Sequence, residues 1–186
     1  KISSVVELLK TCAKRKDLCE GAKLHADILN ECLLEKSPYI PSTLIHMYAK
    51  CGELGKAKEV LQDLHVRDVV SWSALIAAYA QEDQGHKALN CFYRMQMEGI
   101  FANGISFTCI LKACGNIGAI AKGREIRDHI ATLVFLKKHQ DLRITVLNMY
   151  MKCEFLSRAQ LVFDNLSIRT VVAWTRLVGM GMYLIS

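Results

Sequence analysis

A thirty-residue stretch of this chain occurs twice, and that constrains its fold more than any other feature. Residues 47–76 read MYAKCGELGKAKEVLQDLHVRDVVSWSALI, and residues 149–178 read MYMKCEFLSRAQLVFDNLSIRTVVAWTRLV. The copies lie 102 residues apart and agree at 13 of 30 positions, where unrelated segments would share roughly two. The identities fall on Met47, Tyr48, Lys50, Cys51, Leu54, Ala57, Val60, Leu64, Arg67, Val69, Val70, Trp72 and Leu75. They are mostly apolar and spaced by three or four, which places them on one face of a helix. A chain that repeats at a fixed offset is read as an array of like units before any local motif is weighed.

The flanks keep the same offset. Leu9-Lys10-Thr11-Cys12 returns as Leu111-Lys112-Ala113-Cys114, Gly21 as Gly123 and Ile28 as Ile130. A period of 102 is too long for one helical hairpin. Aligning helix starts divides it into units at 2–37 (long), 38–68 (short), 69–103 (standard), 104–139 (long) and 140–170 (short), with a partial unit at 171–186. Each full unit is the size of two helices and two turns. The expected fold is therefore all-α: an α-solenoid of tandem helix-turn-helix repeats, wound as a right-handed superhelix and truncated in its last repeat.

Composition supports an intracellular-type helical array. Eight cysteines are enough for a disulfide scaffold, but Cys12, Cys51, Cys114 and Cys153 sit at equivalent places in different units. Such residues are expected to be small buried hydrophobes, free as thiols in a reducing compartment. No Cys-x-x-Cys pair offers a zinc site. The net charge of +6 favours an anionic partner only slightly. Lys1 leads straight into helical pattern, so no secretory signal is expected. No apolar run reaches the roughly 18 residues of a membrane span.

Helices are predicted over about 4–13, 19–33, 43–50 and 54–64. Pro38 and Pro41 suit a turn and a first helical turn, and Gly52 suits a C-cap. Unit three places Trp72, Leu75, Ile76 and Tyr79 on one face, then Ala88, Cys91, Phe92 and Met95. Glu98-Gly99 is expected to close that second helix, and Asn103-Gly104 to form the following turn. Unit four repeats the plan with Phe107, Ile110, Leu111 and Cys114, then Ile120, Gly123, Ile126 and Ile130. Unit five has Val146, Leu147 and Tyr150, then Ala159, Val162, Phe163 and Leu166. The last segment, VVAWTRLVGMGMYLIS, reads as one apolar helix without its partner, so a piece of a longer array or a truncated reading frame is expected. Its Leu177, Met182, Tyr183 and Leu184 could drive self-association.

Tetratricopeptide repeats keep a strict length of 34 and a Trp-Leu-Gly-Tyr signature, which this chain lacks. It instead resembles the pentatricopeptide repeats of the plant class with long, short and standard units. The resemblance is carried by Leu111-Lys112-Ala113-Cys114 with Gly123-Arg124-Glu125-Ile126, by Met47-Tyr48-Ala49-Lys50-Cys51-Gly52, by Val66-Arg67-Asp68-Val69-Val70-Ser71-Trp72, and by 95–103, MQMEGIFAN. It covers essentially the whole chain.

That resemblance implies an α-solenoid binding single-stranded RNA in a mitochondrion or chloroplast, in RNA editing or other RNA processing, with editing-complex proteins as further partners. One unit faces one nucleotide, which is readout by two or three side chains per repeat. The fifth and last residues of a unit lie at the base edge, and the second packs against base faces. Unit three then offers Ser73 and Asn103, which resembles an adenine pair, with Val70 packing. Unit two offers Ser42 and Asp68, which resembles a guanine pair, with Tyr39 packing. Unit four offers Thr108 and His139, with Ile105 packing; His139 departs from the usual last residue. Unit one gives Val6 and Ser37, and unit five Ile144 and Thr170; Val6 and Ile144 cannot hydrogen-bond a base. Thr175 is the reading residue of the partial unit. Lys14, Lys50 and Lys152 recur near the ends of first helices, where cations suit the helix dipole and could track phosphates.

Other readings stay open beside these. Trp72 and Trp174 could stack on bases, but their register with Leu75 and Leu177 marks them as core; Tyr48 and Tyr150 read the same way. Asp68 could serve only as an N-cap. His25, His46, His65, His86 and His129 are scattered, so neither metal nor cofactor is expected. The His-x-Glu and Pro-Cys-x-x-Cys of a zinc deaminase are absent, and the chain is not expected to be an enzyme. A protein-binding helical scaffold and a fragment of a longer editing factor remain as alternatives.

Overall fold

The computed structural model describes residues 2–37, 39–132 and 140–166. Among the described residues every regular element is helical. The helices are α1 (Ile2–Arg15), α2 (Leu18–Asn30), α3 (Tyr39–Lys50), α4 (Leu54–Asp63), α5 (Val69–Gln81), α6 (Gly85–Met97), α7 (Gly104–Asn116), α8 (Ile120–Thr132), α9 (Gln140–Lys152) and α10 (Leu156–Asp164). Among the described residues α1 packs with α2, α3 with α4, α5 with α6 and α9 with α10. The chain divides into two compact units, Lys1–Ala113 and Cys114–Ser186.

One device closes every hairpin. Each first helix ends on a residue in the left-handed region: Lys16, Gly52, Asp83, Gly118 and Glu154, with φ from 52° to 83°. The residue after it then donates its N–H to a carbonyl five back. Asp17 reaches Cys12, Glu53 reaches Tyr48, Gln84 reaches Tyr79, Ala119 reaches Cys114 and Phe155 reaches Tyr150, at 2.9–3.0 Å. These bonds satisfy carbonyls that the helix end would orphan. Gly99 ends α6 the same way at φ 74°, as its sequence suggested, and Cys32 ends α2 at φ 50°. That early stop leaves Leu33 outside the helix predicted to contain it.

In the first unit the first helices α1, α3 and α5 pack side by side, and α2 and α4 dock onto the first helix that follows. Leu9, Leu44, Ile45, Met47, Trp72, Leu75 and Ile76 fill the resulting core. In the second unit α8 and α10 both pack on α9, around Leu147, Tyr150 and Phe163. The offset of 102 survives in the packing. A Cβ on Gly21 would stand 2.5 Å from Met47 Sδ, and one on Gly123 would stand 2.7 Å from Met149 Sδ. The bare glycine lets the methionine of the following first helix lie against the backbone.

Trp72 is buried, and its indole N–H donates to Glu98 Oε2 at 3.2 Å. Arg67 donates to the other oxygen of Glu98 at 3.0 Å and to the carbonyls of Leu61 and Gln62. The Val-Arg-x-Val-Val-x-Trp pattern is thus a structural tie between the ends of α4 and α6, and Trp72 serves the core as its register implied. All eight cysteines are free thiols. Burial pushes Cys91 up to about 11 and Cys114 to about 12, so neither is a reactive thiolate near neutrality.

Two expectations need correction. The helix α3 begins at Tyr39, four residues ahead of the predicted start. Pro41 is tolerated there because the first-turn N–H groups have no intrahelical partner. Gly104 does not turn the chain; it opens α7, and Asn103 caps it. The apolar segment 171–186 lies outside the described residues. Among the described residues no helix is long and apolar enough to cross a membrane.

Two predictions follow from these helix ends and packing contacts. Gly52→Ala should cost about 1 kcal/mol, because alanine is strained at positive φ, whereas Glu154→Gly should gain a few tenths; urea unfolding monitored by circular dichroism reads both. The second concerns His25, whose Nδ1 shares a 2.8 Å hydrogen bond with the Tyr48 hydroxyl. Burial lowers its pKa below the usual histidine range, against a smaller opposing pull from Asp63. A depressed histidine stabilises the fold fully above its unfolded pKa of about 6.5, and that stability is lost as pH falls through the folded value. Melting temperature should therefore drop between pH 7 and 5, and His25→Gln should flatten the drop.

Candidate nucleic-acid interface

Three large apolar side chains stand exposed at one repeated place. Tyr39, Val70 and Ile105 lie in the first turns of α3, α5 and α7, and are 67%, 40% and 62% exposed. Each is the second residue of its repeat unit, counted from 38, 69 and 104. Exposed single hydrophobes are ordinary; three in register, on hairpins whose other apolar faces are buried, form a row.

Polar groups stand at the unit junctions. Asn103 precedes α7, and its Oδ1 accepts from the Ser106 backbone N–H at 2.9 Å and from Ser106 Oγ at 3.0 Å. Ser73, on α5, lies 3.4 Å from the same Oδ1 and 2.7 Å from Ser106 Oγ. Its hydroxyl also donates to the Val69 carbonyl at 2.5 Å. The structure therefore joins Ser73 and Asn103, the pair expected from unit three, through the hydroxyl of a third residue, Ser106. A backbone N–H must face an oxygen, so the amide orientation is decided: Oδ1 points inward and Nδ2 takes the opposite side of the amide.

Asp68 holds the equivalent place before α5 and caps it, accepting from Ser71 N–H at 2.8 Å. One oxygen is committed to the helix and the other remains an acceptor. Asp68, Ser71, Ser37 and Pro41 line one hollow of about 340 Å3. Ser42 Oγ donates to the Tyr39 carbonyl at 3.1 Å, and Thr108 Oγ1 to the Gly104 carbonyl at 2.8 Å. Val6 and Ile144 are half-buried in α1 and α9. His139, Thr170 and Thr175 lie outside the described residues.

The lysines recur as the thirteenth residue of their units. Lys50 Nζ donates to Gln81 at 3.4 Å, and Lys152 Nζ donates to Asn116. Gln81 and Asn116 are themselves thirteenth residues, so these positions make a polar row: Lys14, Lys50 and Gln81 in the first compact unit, Asn116 and Lys152 in the second. Among the described residues no three His, Cys, Asp or Glu side chains group as metal ligands.

Ser106 was not singled out from the sequence. Its signal was the third place of a unit, where Ser71 and Ser106 both stand and both are buried.

Two family profiles match the chain: a PPR repeat family over residues 67–116 and a PPR repeat over residues 40–69. A chloroplastic pentatricopeptide repeat-containing protein of Arabidopsis thaliana is 31% identical over 95% of this chain and 28% of its own length. A mitochondrial one from the same plant is 29% identical over 92% of this chain and 25% of its own length. The chain belongs to the pentatricopeptide repeat family. It spans about a quarter of the length of these curated relatives.

Solved structures agree on the fold. The pentatricopeptide repeat protein PPR10, in complex with an 18-nt psaJ RNA element, superposes with a TM-score of 0.67 at 18% identity, covering 89% of this chain and 25% of that one. The PPR domain of Arabidopsis thaliana protein-only RNase P 1, in complex with tRNA, gives 0.68 at 15% identity, covering 96% and 95%. The fold class is thus the all-α solenoid of tandem helix-turn-helix repeats.

Removing the bridging hydroxyl tests the geometry of the Ser73–Asn103 pair. Ser106→Ala loses hydrogen bonds to two buried or half-buried partners and should destabilise the chain by about 1–2 kcal/mol. Asn103→Ala should lose a comparable amount through the helix cap. The double variant should cost less than the sum, because the two residues share one network; chemical denaturation of the four proteins measures this.

Proposed function

We propose that this chain binds single-stranded RNA through its pentatricopeptide repeats, as the recognition part of a longer organellar protein and without catalysis of its own. The observation that carries this reading is the Ser73–Asn103 pair flanked in the chain by the exposed Val70 and Ile105. Apolar side chains in register offer faces against which bases can lie. Hydrogen-bonding groups at fixed orientation offer edges to read. The outward Nδ2 of Asn103 is a donor and suits the ring-nitrogen acceptor of adenine. The free oxygen of Asp68 is an acceptor and suits the donor edge of guanine. Lys14, Lys50 and Lys152 supply phosphate contacts.

The role is RNA editing or another processing step, in a chloroplast or mitochondrion, through an array with long, short and standard units. This rests on the order of the unit lengths, and the organelle on relatives described as chloroplastic or mitochondrial. The RNA-bound states of two structural neighbours support RNA as the ligand. Val66, Met97 and Phe101, all strongly exposed outside the base-facing row, favour a protein partner as the second reading.

Fluorescence anisotropy with short single-stranded RNAs at two salt concentrations separates the two. One probe places guanine then adenine for units two and three; the control carries cytosine at both. Tighter binding to the first, weakening steeply with salt and equalised by Ser73→Ala with Asn103→Ala, is the expected result. Equal binding to both probes would leave phosphate tracking without base reading. No binding to either would turn the assignment to the protein partner.

A further inference from the structure

The second compact unit holds a cavity of about 210 Å3 whose wall includes Arg127, Arg143, Tyr150, Arg158, Leu161 and Asn165. It lies among α8, α9 and α10. Every one of these residues has a counterpart 102 positions earlier: His25, Pro41, Tyr48, Lys56, Glu59 and Asp63. The repeat therefore supplies its own control, the same niche built with different chemistry.

In the first copy the niche satisfies itself. The Tyr48 hydroxyl is bonded to His25 at 2.8 Å. The Lys56 ammonium lies 5.9 Å from the centre of the Tyr48 ring. Asp63 acts electrostatically on His25. One fixed cation stands among two carboxylates.

In the second copy both carboxylates are gone, replaced by Leu161 and Asn165. Three guanidiniums take the places of histidine, proline and lysine. Tyr150 is only 1% exposed, and its hydroxyl has no hydrogen-bond partner among the described residues. The buried Arg127 Nε has none either, although another nitrogen of that guanidinium meets Asp128 at 2.8 Å. Buried donors without acceptors are costly, and among the described residues no acidic side chain lines the cavity beside the three guanidiniums.

We propose that this cavity is a binding site for a phosphate-class dianion, either free phosphate or a terminal phosphate monoester. Such an ion accepts from Tyr150 O–H and Arg127 Nε–H together, while the planar forks of Arg143 and Arg158 take its remaining oxygens in pairs. Three guanidiniums match a dianion better than a single carboxylate. The volume is below the roughly 300 Å3 at which cavities accept drug-sized molecules, so only the anionic group itself enters.

Isothermal titration calorimetry on the full chain tests this, with inorganic phosphate at constant ionic strength. A short oligoribonucleotide with and without a 5′-terminal phosphate is titrated beside it. Saturable binding of phosphate assigns the free ion; a preference for the phosphorylated oligonucleotide alone assigns a chain end. In either case Tyr150→Phe, which keeps the ring, should weaken binding about tenfold. Arg158→Gln alters an exposed side chain that the fold does not need, and should weaken binding at least as much. Lys56→Gln, in the first copy of the niche, should leave it unchanged. No saturable binding of any probe, as expected if the cavity holds only water, would overturn the proposal. So would affinities that Tyr150→Phe and Arg158→Gln do not alter.

Discussion

Everything in this fold depends on stopping a helix within two or three residues and sending the chain back. A helix of twelve to fourteen residues with an apolar stripe cannot bury that stripe alone, and in water it is marginal. The left-handed residue after each first helix forces the reversal, and the N–H that follows it closes the helix end. Glycine does this without strain at Gly52 and Gly118. At Lys16, Asp83 and Glu154 the surrounding contacts hold an ordinary residue in the same conformation. Once the hairpin exists, its apolar faces have one place to go, against the next first helix.

That dependence explains which positions repeat at 102 and which do not. Met47 and Met149 recur because each lies on a glycine of the preceding second helix, and the glycine recurs with it. Tyr48 and Tyr150 recur as buried rings, though their hydroxyls meet different surroundings. Residues outside the fully buried core are less bound by packing, and there the two copies part company. His25 has become Arg127, Glu59 has become Leu161 and Asp63 has become Asn165. The internal repeat thus separates structural from chemical positions without any other sequence being consulted.

Much of this was legible beforehand. The offset, the helical spacing and the register of Trp72 with Leu75 gave the class of fold and the core assignment of Trp72, because burial leaves a periodic trace. Gly52 and Gly99 were readable as stops because positive φ selects glycine. Lys16, Asp83 and Glu154 were not, since nothing in their residue types announces the conformation. Asn103-Gly104 misled because the same dipeptide serves a turn and a helix start; what decides between them is a hydroxyl three residues on, at Ser106. Ser106 is harder to see, because a serine between apolar residues does not extend the helical stripe and only its shared unit place with Ser71 marks it. The joining of Ser73 and Asn103 was implied only by family resemblance, as hydrogen bonds across 30 residues leave no local pattern.

The same asparagine also shows why the junction residues are polar at all. Asn103 and Asp68 cap helices, and a cap must offer an oxygen to the third backbone N–H. Asparagine and aspartate both do so and are interchangeable in that duty. They differ in what is left over: two donors from the amide, one acceptor from the carboxylate. The fold therefore fixes the half of the side chain it uses and leaves the other half to present one sign of hydrogen bond. In the proposed reading a helix cap serves recognition with no added side chain, because the stabilising contact settles the orientation that recognition requires. An apolar residue at this place would lose both functions at once. An isolated exposed asparagine would keep both orientations and discriminate between neither kind of edge.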